Sequence, residues 1–187
     1  MISQWSPGAN WFESRRTLFL ERFGDRIDGL AGSLLAKIER APAVVNERMA
    51  GSLITLLHGD LHLDNFVFEQ DMQPVILDWA RCAKGPLELD LAALLFAMSN
   101  LEDFEPVLAA YLNSLEEHST QTFDPTAIRS QLGGALLRRF TTFTLGVARW
   151  QPASPREAAI INTSIGRAIR SVEHWSTQDP ELFSFLG

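Results

Sequence analysis

The sequence predicts an α+β fold that is mostly α-helical and carries one short β-hairpin. Apolar residues recur at helical spacing over most of the chain, whereas two short apolar runs, residues 66–68 and 75–77, flank a polar stretch that ends in Pro74. Amphipathic periodicity favours helices, and short apolar runs on either side of a turn favour a hairpin. With 187 residues, 46% of them hydrophobic, the chain is long enough to form a single domain over residues 1–187.

The predicted elements follow one another along the chain without repeats. An apolar, strand-like run at residues 55–57 precedes the hairpin, and the other elements are helices. Two of them begin with a capping residue and a proline, Asp124-Pro125 and Ser154-Pro155, which is typical of a helix start. The helical stretches are 11–23, 27–38 (ending before Pro42), 91–98, 106–115, 125–150 and 155–175.

The composition of the chain limits the binding partners and the cellular compartment that we expect. A net charge of -7 and an isoelectric point near 5.1 argue against general binding to nucleic acid or to a membrane surface, which needs a basic patch. The one cysteine, Cys82, excludes an internal disulfide and fits a reducing compartment. The chain begins without a signal-peptide pattern, and no apolar run is long enough to span a membrane. We therefore expect a cytoplasmic protein.

The hairpin brings two oxygen-bearing side chains together if its turn is centred between Asp71 and Met72. In that register Phe68 faces Val75, Val67 faces Ile76, and Asn65 faces Asp78. Directly opposed residues on antiparallel strands have Cβ atoms about 4.5 to 5.5 Å apart and share a face. Asn65 and Asp78 are therefore predicted to share one Mg²⁺, a cation that prefers oxygen ligands.

A third side chain, Asp60, is predicted to act on protons rather than on the metal. It follows the strand-like run, and Gly59 beside it permits a backbone bend that a Cβ resists. A carboxylate close to a metal-bound phosphate can accept the proton of an attacking hydroxyl. His58 is interpreted as a packed histidine that supports this loop. We expect the acceptor to be an alcohol, because hydrolysis by water wastes nucleotide.

These residues resemble a known family. The segment is similar to the catalytic core of the aminoglycoside phosphotransferase and choline kinase-like family, relatives of protein kinases whose loop reads H-G-D-x-x-x-x-N and is followed by a strand that ends in D-W or a variant of it. Within that family it is most similar to the ecdysteroid-kinase-like branch. The similarity covers roughly residues 53–95, and the motifs that carry it are His58-Gly59-Asp60, Leu63-Asp64-Asn65, Asp78-Trp79, Gly85 and Asp90-Leu91-Ala92.

The resemblance implies a fold and a role for each matched residue. The fold is the carboxyl-terminal lobe of a protein-kinase-like enzyme. Asp60 is implied as the catalytic base, Asn65 and Asp78 as Mg²⁺ ligands, and Asp90 as a structural carboxylate that braces the loop. A position at the start of a helix, where a carboxylate is favoured by the helix dipole, is an equally good interpretation of Asp90.

The phosphate clamp of such kinases is missing from the sequence. They cover the phosphates with a glycine-rich loop and hold them with a lysine on a strand. The chain has two lysines, Lys37 in a helical pattern and Lys84 beyond Asp78, and it contains no G-x-G-x-x-G. We expect the amino-terminal nucleotide lobe to be absent, so that the chain is part of a longer product or is completed by another chain or a second copy. The nucleotide-binding residues are left unassigned.

Two main classes of function follow, with a third beside them. The first is a small-molecule kinase that transfers the terminal phosphate of ATP or GTP, with Mg²⁺, to a hydroxyl group. The second is a shortened, inert relative that binds a partner or regulates it, and a Mg²⁺-dependent hydrolase is a third. The acceptor is poorly encoded. The acidic residues near 102–117 would suit a cationic acceptor but are interpreted as a solvated face, and Arg138-Arg139 could meet an anion but are interpreted as surface donors of salt bridges.

Overall fold

The computed structural model describes residues 5–98, 100–120 and 122–186, and it shows a mostly helical α+β fold with two small antiparallel sheets. This confirms the predicted fold class. The helices are α1 Ala9–Phe23, α2 Gly29–Ala36, α3 Ala41–Arg48, α4 Glu88–Ala97, α5 Phe104–His118, α6 Pro125–Val147 and α7 Pro155–Gln178. The strands are β1 Ile54–Leu57, β2 Phe66–Phe68, β3 Pro74–Ile76 and β4 Ala83–Pro86.

The helix α6 lies at the centre of the apolar core. It packs against α1, α3, α4 and α7, and its buried face includes Leu132, Leu137 and Phe140. A Cβ on Gly133 of this helix would lie 2.6 Å from Nε1 of Trp175, so only glycine allows α7 to approach this closely. Within the described ranges, no helix is both long enough and apolar enough to cross a membrane.

The helix starts predicted from capping residues are confirmed. The Asp124 side chain accepts a hydrogen bond from the backbone N–H of Thr126, and the Ser154 hydroxyl accepts one from that of Glu157. The predicted second helix, 27–38, is present as Gly29–Ala36 and ends before Pro42, as the sequence indicated. The sequence did not predict the separate helix α3, which begins at Ala41 with Pro42 in its first turn, where the missing N–H is not needed.

The predicted hairpin is present, but its predicted register is wrong by one residue. Phe66 pairs with Ile76, Val67 with Val75 and Phe68 with Pro74. The connecting loop therefore spans 69–73 and is centred on Asp71, not between Asp71 and Met72. Met72 causes the shift because it adopts a left-handed conformation with φ 63°, which closes the loop one residue early.

The strand β1 pairs with β4, a strand that the sequence did not predict. The pairing is antiparallel and sets Thr55 opposite Gly85 and Leu57 opposite Ala83. The segment Ala83–Pro86 has no apolar alternation, so periodicity does not reveal it. The pair joins the start of the loop at His58 to the start of α4.

A buried acid lies at that junction. Glu88, the first residue of α4, is 0% exposed, and neither of its carboxylate oxygens has a hydrogen-bond partner within the described part of the chain. Burial raises the pKa of this carboxyl from the ordinary value of 4.5, and its own backbone N–H and the nearby Ser52 hydroxyl counteract the rise only in part. The Ser52 hydroxyl lies close but makes no hydrogen bond of ordinary geometry.

We predict that Glu88→Gln stabilises the fold at neutral pH. Because the folded-state pKa lies above the unfolded one, the folded state binds more protons in that window, and its stability falls as pH rises from about 4.5 through the folded pKa. Urea unfolding should show the largest advantage of the variant at pH 7 to 8 and a shrinking advantage as pH falls towards 4.5. The exposed residue Glu117, changed to glutamine, controls for the loss of one formal charge. An advantage that does not vary with pH would contradict the prediction.

Candidate functional site

The loop that follows β1 depends on Gly59. This residue has φ +81°, and a Cβ placed on it would lie 2.3 Å from the backbone oxygen of Arg81. Both the conformation and the close approach therefore require glycine. The bend lies between His58 and Asp60, directly after the end of β1, and it turns the chain into the loop.

The carboxylate of Asp90 holds this bend through hydrogen bonds to its backbone. Its Oδ2 accepts a hydrogen bond from the backbone N–H of His58 at 2.5 Å, and its Oδ1 accepts one from that of Gly59 at 3.0 Å. Asp90 also lies in the first turn of α4. It is thus at a helix start and in contact with the loop at the same time, the two interpretations that the sequence left open.

The side chain of His58 connects the loop to the second half of the site. It is 2% exposed, its Nε2 lies 2.7 Å from the backbone oxygen of Leu77, and its Nδ1 accepts a hydrogen bond from the backbone N–H of Asp60 at 3.3 Å. These two contacts require a proton on Nε2 and none on Nδ1, which is one neutral tautomer. The ring packs against Trp79 with centroids 4.8 Å apart.

Asp60 and Asn65 lie together at the mouth of the loop. The Nδ2 of Asn65 donates to the backbone oxygen of Asp60 at 2.9 Å. The Asp60 side chain is 31% exposed, and its carboxylate lies 4.0 Å from Nε2 of His62. Among the described residues the Oδ1 of Asn65 has no hydrogen-bond partner. The contact between the two residues thus uses the Asp60 backbone and the Asn65 Nδ2, and it leaves the Asp60 carboxylate and the Asn65 Oδ1 free of it.

The structure places Asp78 next to the hairpin but not opposite Asn65. The backbone N–H of Leu77 donates to the backbone oxygen of Asn65 at 2.8 Å, so Leu77 occupies the position that the sequence assigned to Asp78. Asp78 follows with φ 58°, is exposed, and accepts one hydrogen bond from the N–H of Ala80 at 3.4 Å. The predicted face-to-face pairing is therefore wrong, although the two residues stay neighbours across the ribbon.

The donor set suits a hard cation that brings much of its own coordination. Mg²⁺ keeps several waters and binds one or two protein oxygens together with substrate phosphates. Asn65 and Asp78 offer one amide oxygen and one exposed carboxylate, which fits such a cation. Within the described residues, both at this site and elsewhere, no three His, Cys, Asp or Glu side chains lie close enough together to hold a metal ion without other ligands.

Two cations, Arg81 and Arg139, belong to the surroundings of this loop. Arg81 was not singled out from the sequence, and Arg139 was named there without being placed near the loop. Arg139 of α6 is partly buried and within electrostatic reach of Asp60 and Arg81: burial lowers its pKa, Asp60 raises it and Arg81 lowers it. The interpretation of Arg138-Arg139 as surface salt-bridge donors is wrong, since neither residue makes an ion pair with any described residue. The pair of adjacent arginines was the feature of the sequence that could have drawn attention to Arg139.

Comparison with models of known protein families shows to which family the chain belongs. The model of the APH phosphotransferase enzyme family matches residues 2–130, which is more than half of the chain and includes the loop, the hairpin and Asp90. The chain belongs to this phosphotransferase family. The match extends upstream to α1–α3, well beyond residues 53–95, where the motifs lie. A search of curated proteins gave no match.

We predict that the loop of this phosphotransferase-family chain loses stability when Asp90 is replaced by alanine. The change leaves the N–H groups of His58 and Gly59 without their carboxylate, and hydrogen bonds to a charged group contribute about 1.5 to 3 kcal/mol each. We expect a loss of about 2 to 4 kcal/mol in urea unfolding, with faster hydrogen exchange at those two amides.

Two control variants make this measurement specific. Asp90→Asn keeps one acceptor oxygen and should lose about half as much. Asp64→Ala removes a carboxylate from the same loop, but that side chain is 98% exposed, so its effect should stay within about 0.5 kcal/mol. Unchanged exchange at residues 58 and 59 in Asp90→Ala would show that the carboxylate does not hold the loop.

Proposed function

We propose that the chain is the acceptor and metal lobe of a small-molecule kinase that transfers the terminal phosphate of ATP or GTP to a hydroxyl group. Family membership supports phosphoryl transfer. The observation that carries the rest is the contrast at Asp60, whose backbone is fixed by His58 and Asn65 while its carboxylate stays open. A general base needs this combination of fixed position and access.

The proposed reaction forms one bond and breaks one. The hydroxyl oxygen of the acceptor attacks the terminal phosphorus, and the bond from that phosphorus to the bridging oxygen breaks. The hydroxyl proton moves to the Asp60 carboxylate, and the electron pair of the broken bond leaves on the nucleoside diphosphate. The products are a phosphate ester and ADP or GDP. Asp60 orients the hydroxyl and accepts its proton as the new bond between the hydroxyl oxygen and phosphorus forms.

Asn65 and Asp78 are proposed to hold Mg²⁺. The ion, when bound, neutralises phosphate charge as it develops. The hydrogen bond from Asn65 Nδ2 to the Asp60 backbone orients the amide so that its oxygen is the free atom. His58, bonded to Leu77, fixes the distance between the loop of Asp60 and the residue that precedes Asp78.

The surface beside the site is apolar and acidic. Of twelve large apolar side chains that are exposed in the described residues, nine lie between positions 54 and 79, among them Leu56 at 67%, Phe68 at 56% and Met72 at 71%. The chain between Arg48 and Arg81 contains five carboxylates and neither lysine nor arginine, and the nearest cations are Arg81 itself and Lys84, which pairs with Leu56. In this proposal, two cations against five carboxylates leave the charge of nucleotide phosphates largely unbalanced, so further basic groups are needed.

We propose that a nucleotide-binding lobe with basic residues covers this apolar, acidic face. Exposed apolar patches of this kind mark interaction sites, and opposite charge favours the partner. The lobe belongs either to a longer product of the same gene or to another chain. Reading the gene upstream of codon 1 for a glycine-rich hairpin and a lysine-bearing strand distinguishes these sources.

The same face supports the alternative of an inert relative that acts by binding a partner. Asp60, Asn65 and Asp78 would then be inherited without use. The ecdysteroid-kinase-like branch, the single-domain organisation and the cytoplasmic location remain parts of the proposal. They depend on the motif spacing and on the one cysteine.

We predict that Mn²⁺, a paramagnetic substitute for Mg²⁺, broadens the backbone amide signals around residues 65 and 78. Asp78→Ala and Asn65→Ala should abolish the selective broadening, because each removes one of two oxygen ligands. Asp60→Asn should leave it in place, since Asp60 is not proposed as a ligand, and Asp64→Ala serves as the control for an exposed carboxylate. Broadening spread over all surface carboxylates would contradict a metal site here.

The transfer itself is tested with radiolabelled ATP and Mg²⁺ in the presence of hydroxyl compounds. Asp60→Asn should lower the rate of phosphate ester formation by about 10² to 10⁴, the usual contribution of a general base. Equal rates for the wild-type chain and Asp60→Asn, with metal binding intact in both, would support the inert alternative.

A further inference from the structure

The loop of Asp60 contains a second histidine, His62, which has three polar neighbours. Its Nε2 lies 3.3 Å from Nδ2 of Asn65 and 4.0 Å from Oδ2 of Asp60, and its Nδ1 lies 3.7 Å from Oδ2 of Asp64. Only the first of these contacts is a hydrogen bond. The His62 side chain is 32% exposed, so the loop covers most of it.

The direction of this hydrogen bond follows from the atom that Asn65 presents. The Nδ2 of Asn65 also donates to the backbone oxygen of Asp60 at 2.9 Å, and a backbone oxygen can only accept. The atom that faces both partners is therefore the amide nitrogen and not the amide oxygen. Because an amide nitrogen donates two hydrogens and accepts none, Nε2 of His62 is the acceptor of the second hydrogen.

This contact defines the tautomer of the His62 ring. With Nε2 as an acceptor, the ring hydrogen lies on Nδ1, the nitrogen that faces the exposed carboxylate of Asp64. In the alternative, Nε2 carries a hydrogen for the carboxylate of Asp60, and Asn65 loses its acceptor. The 4.0 Å between Nε2 and that carboxylate is too long for a hydrogen bond, so the geometry favours the contact with Asn65.

Two acceptors on one amide nitrogen fix the rotation of the amide group. The terminal torsion of asparagine has a broad energy profile, so a single hydrogen bond leaves the amide plane room to turn. When the Asp60 backbone oxygen and the His62 ring each accept one hydrogen, the plane is defined. The Oδ1 of Asn65 then lies on the side of the amide group that is turned away from both acceptors.

We propose that His62 is a positioning residue for the metal site, because its Nε2 holds the Asn65 amide so that Oδ1 is presented to the divalent cation. The inference rests on the proposed function for the role of Asn65 as a Mg²⁺ ligand, whereas the hydrogen-bonded pair depends only on the geometry of the loop. His62 is not itself a ligand, since Asn65 uses the lone pair of Nε2 and Nδ1 carries the hydrogen. Loss of a residue that orients a metal ligand typically weakens metal affinity about 10- to 100-fold.

The hydrogen-bonded pair is tested first by NMR of the full chain without metal or nucleotide, at one mildly alkaline pH throughout. Long-range proton–nitrogen correlation spectra show which ring nitrogen carries the hydrogen, and we expect Nδ1 in His62. His62→Phe keeps an aromatic ring but has no acceptor, so the Asn65 side-chain amide signals should move towards those of the exposed Asn113. His62→Gln, whose side-chain oxygen can replace Nε2 as acceptor, should keep them near their wild-type positions.

The consequence for the metal is measured by titration with Mn²⁺, followed through the broadening of amide signals around residues 65 and 78. His62→Phe should weaken this binding at least about tenfold, and His62→Gln should restore most of the affinity. His118→Phe makes the same change at an exposed histidine of α5 and serves as the control. It should alter the affinity less than about twofold.

A second background separates positioning from a direct effect of His62 on the cation. Asn65→Asp supplies a carboxylate, which offers two oxygens to a metal ion and has no hydrogen for His62 to accept. In that background His62→Phe should change the Mn²⁺ affinity less than about threefold, because there is no amide left to orient. Equal losses in the Asn65→Asp and wild-type backgrounds would show that His62 acts directly on the metal or on the fold, and would overturn the inference.

The inference also fails if the ring hydrogen of His62 lies on Nε2, or if folded His62→Phe keeps the wild-type amide signals of Asn65 and the wild-type Mn²⁺ affinity. Thermal melting shows whether each variant is folded, and the tautomer of the wild-type chain decides the first point without any variant. The outcome is separate from that of the proposed function. The expected tautomer and amide shifts in a chain that binds no metal at residues 65 and 78 would keep the pair and remove the metal site, whereas a metal site that tolerates His62→Phe would do the reverse.

Discussion

The candidate site depends on one carboxylate that accepts two backbone hydrogen bonds from a bend it does not belong to. Asp90 is separated from His58 by 32 positions, yet its two oxygens bind the N–H groups of two successive residues. Such a clamp fixes the direction in which the chain leaves β1. Because α4 is packed against the central helix α6, the position of the bend is set by the apolar core.

From that bend the remaining groups follow through a short series of contacts. Gly59 fits against the backbone of Arg81, His58 reaches the backbone of Leu77, and Asn65 reaches that of Asp60. Two of these contacts join a side chain to a backbone oxygen. The third is a close approach of two backbone segments that only glycine permits. The carboxylates of Asp60 and Asp78, in contrast, make few contacts with the described residues. Neighbouring residues of one motif thus differ in how firmly the fold holds their side chains.

The sequence predicted those parts of the molecule that depend on local chemistry. Asp124 and Ser154 cap helices where the capping residue and proline indicated, and residues 66–76 form the hairpin. The failures have long-range or conformational causes. The hairpin register changed because Met72 adopts a positive φ that methionine seldom takes, and β4 forms only because β1 lies beside it. Neither can be found in the periodicity of one segment.

The charges around Asp60 come from more than one element of the fold. The segment between Arg48 and Arg81 carries five carboxylates and neither lysine nor arginine. The cations nearest to it come from other elements: Arg81 follows the hairpin, Lys84 of β4 pairs with Leu56, and Arg139 belongs to α6. Positive charge is therefore supplied to this region by the elements that flank the hairpin and not by the hairpin itself. A change in how those elements pack would alter the charge around Asp60 without any change in the motif.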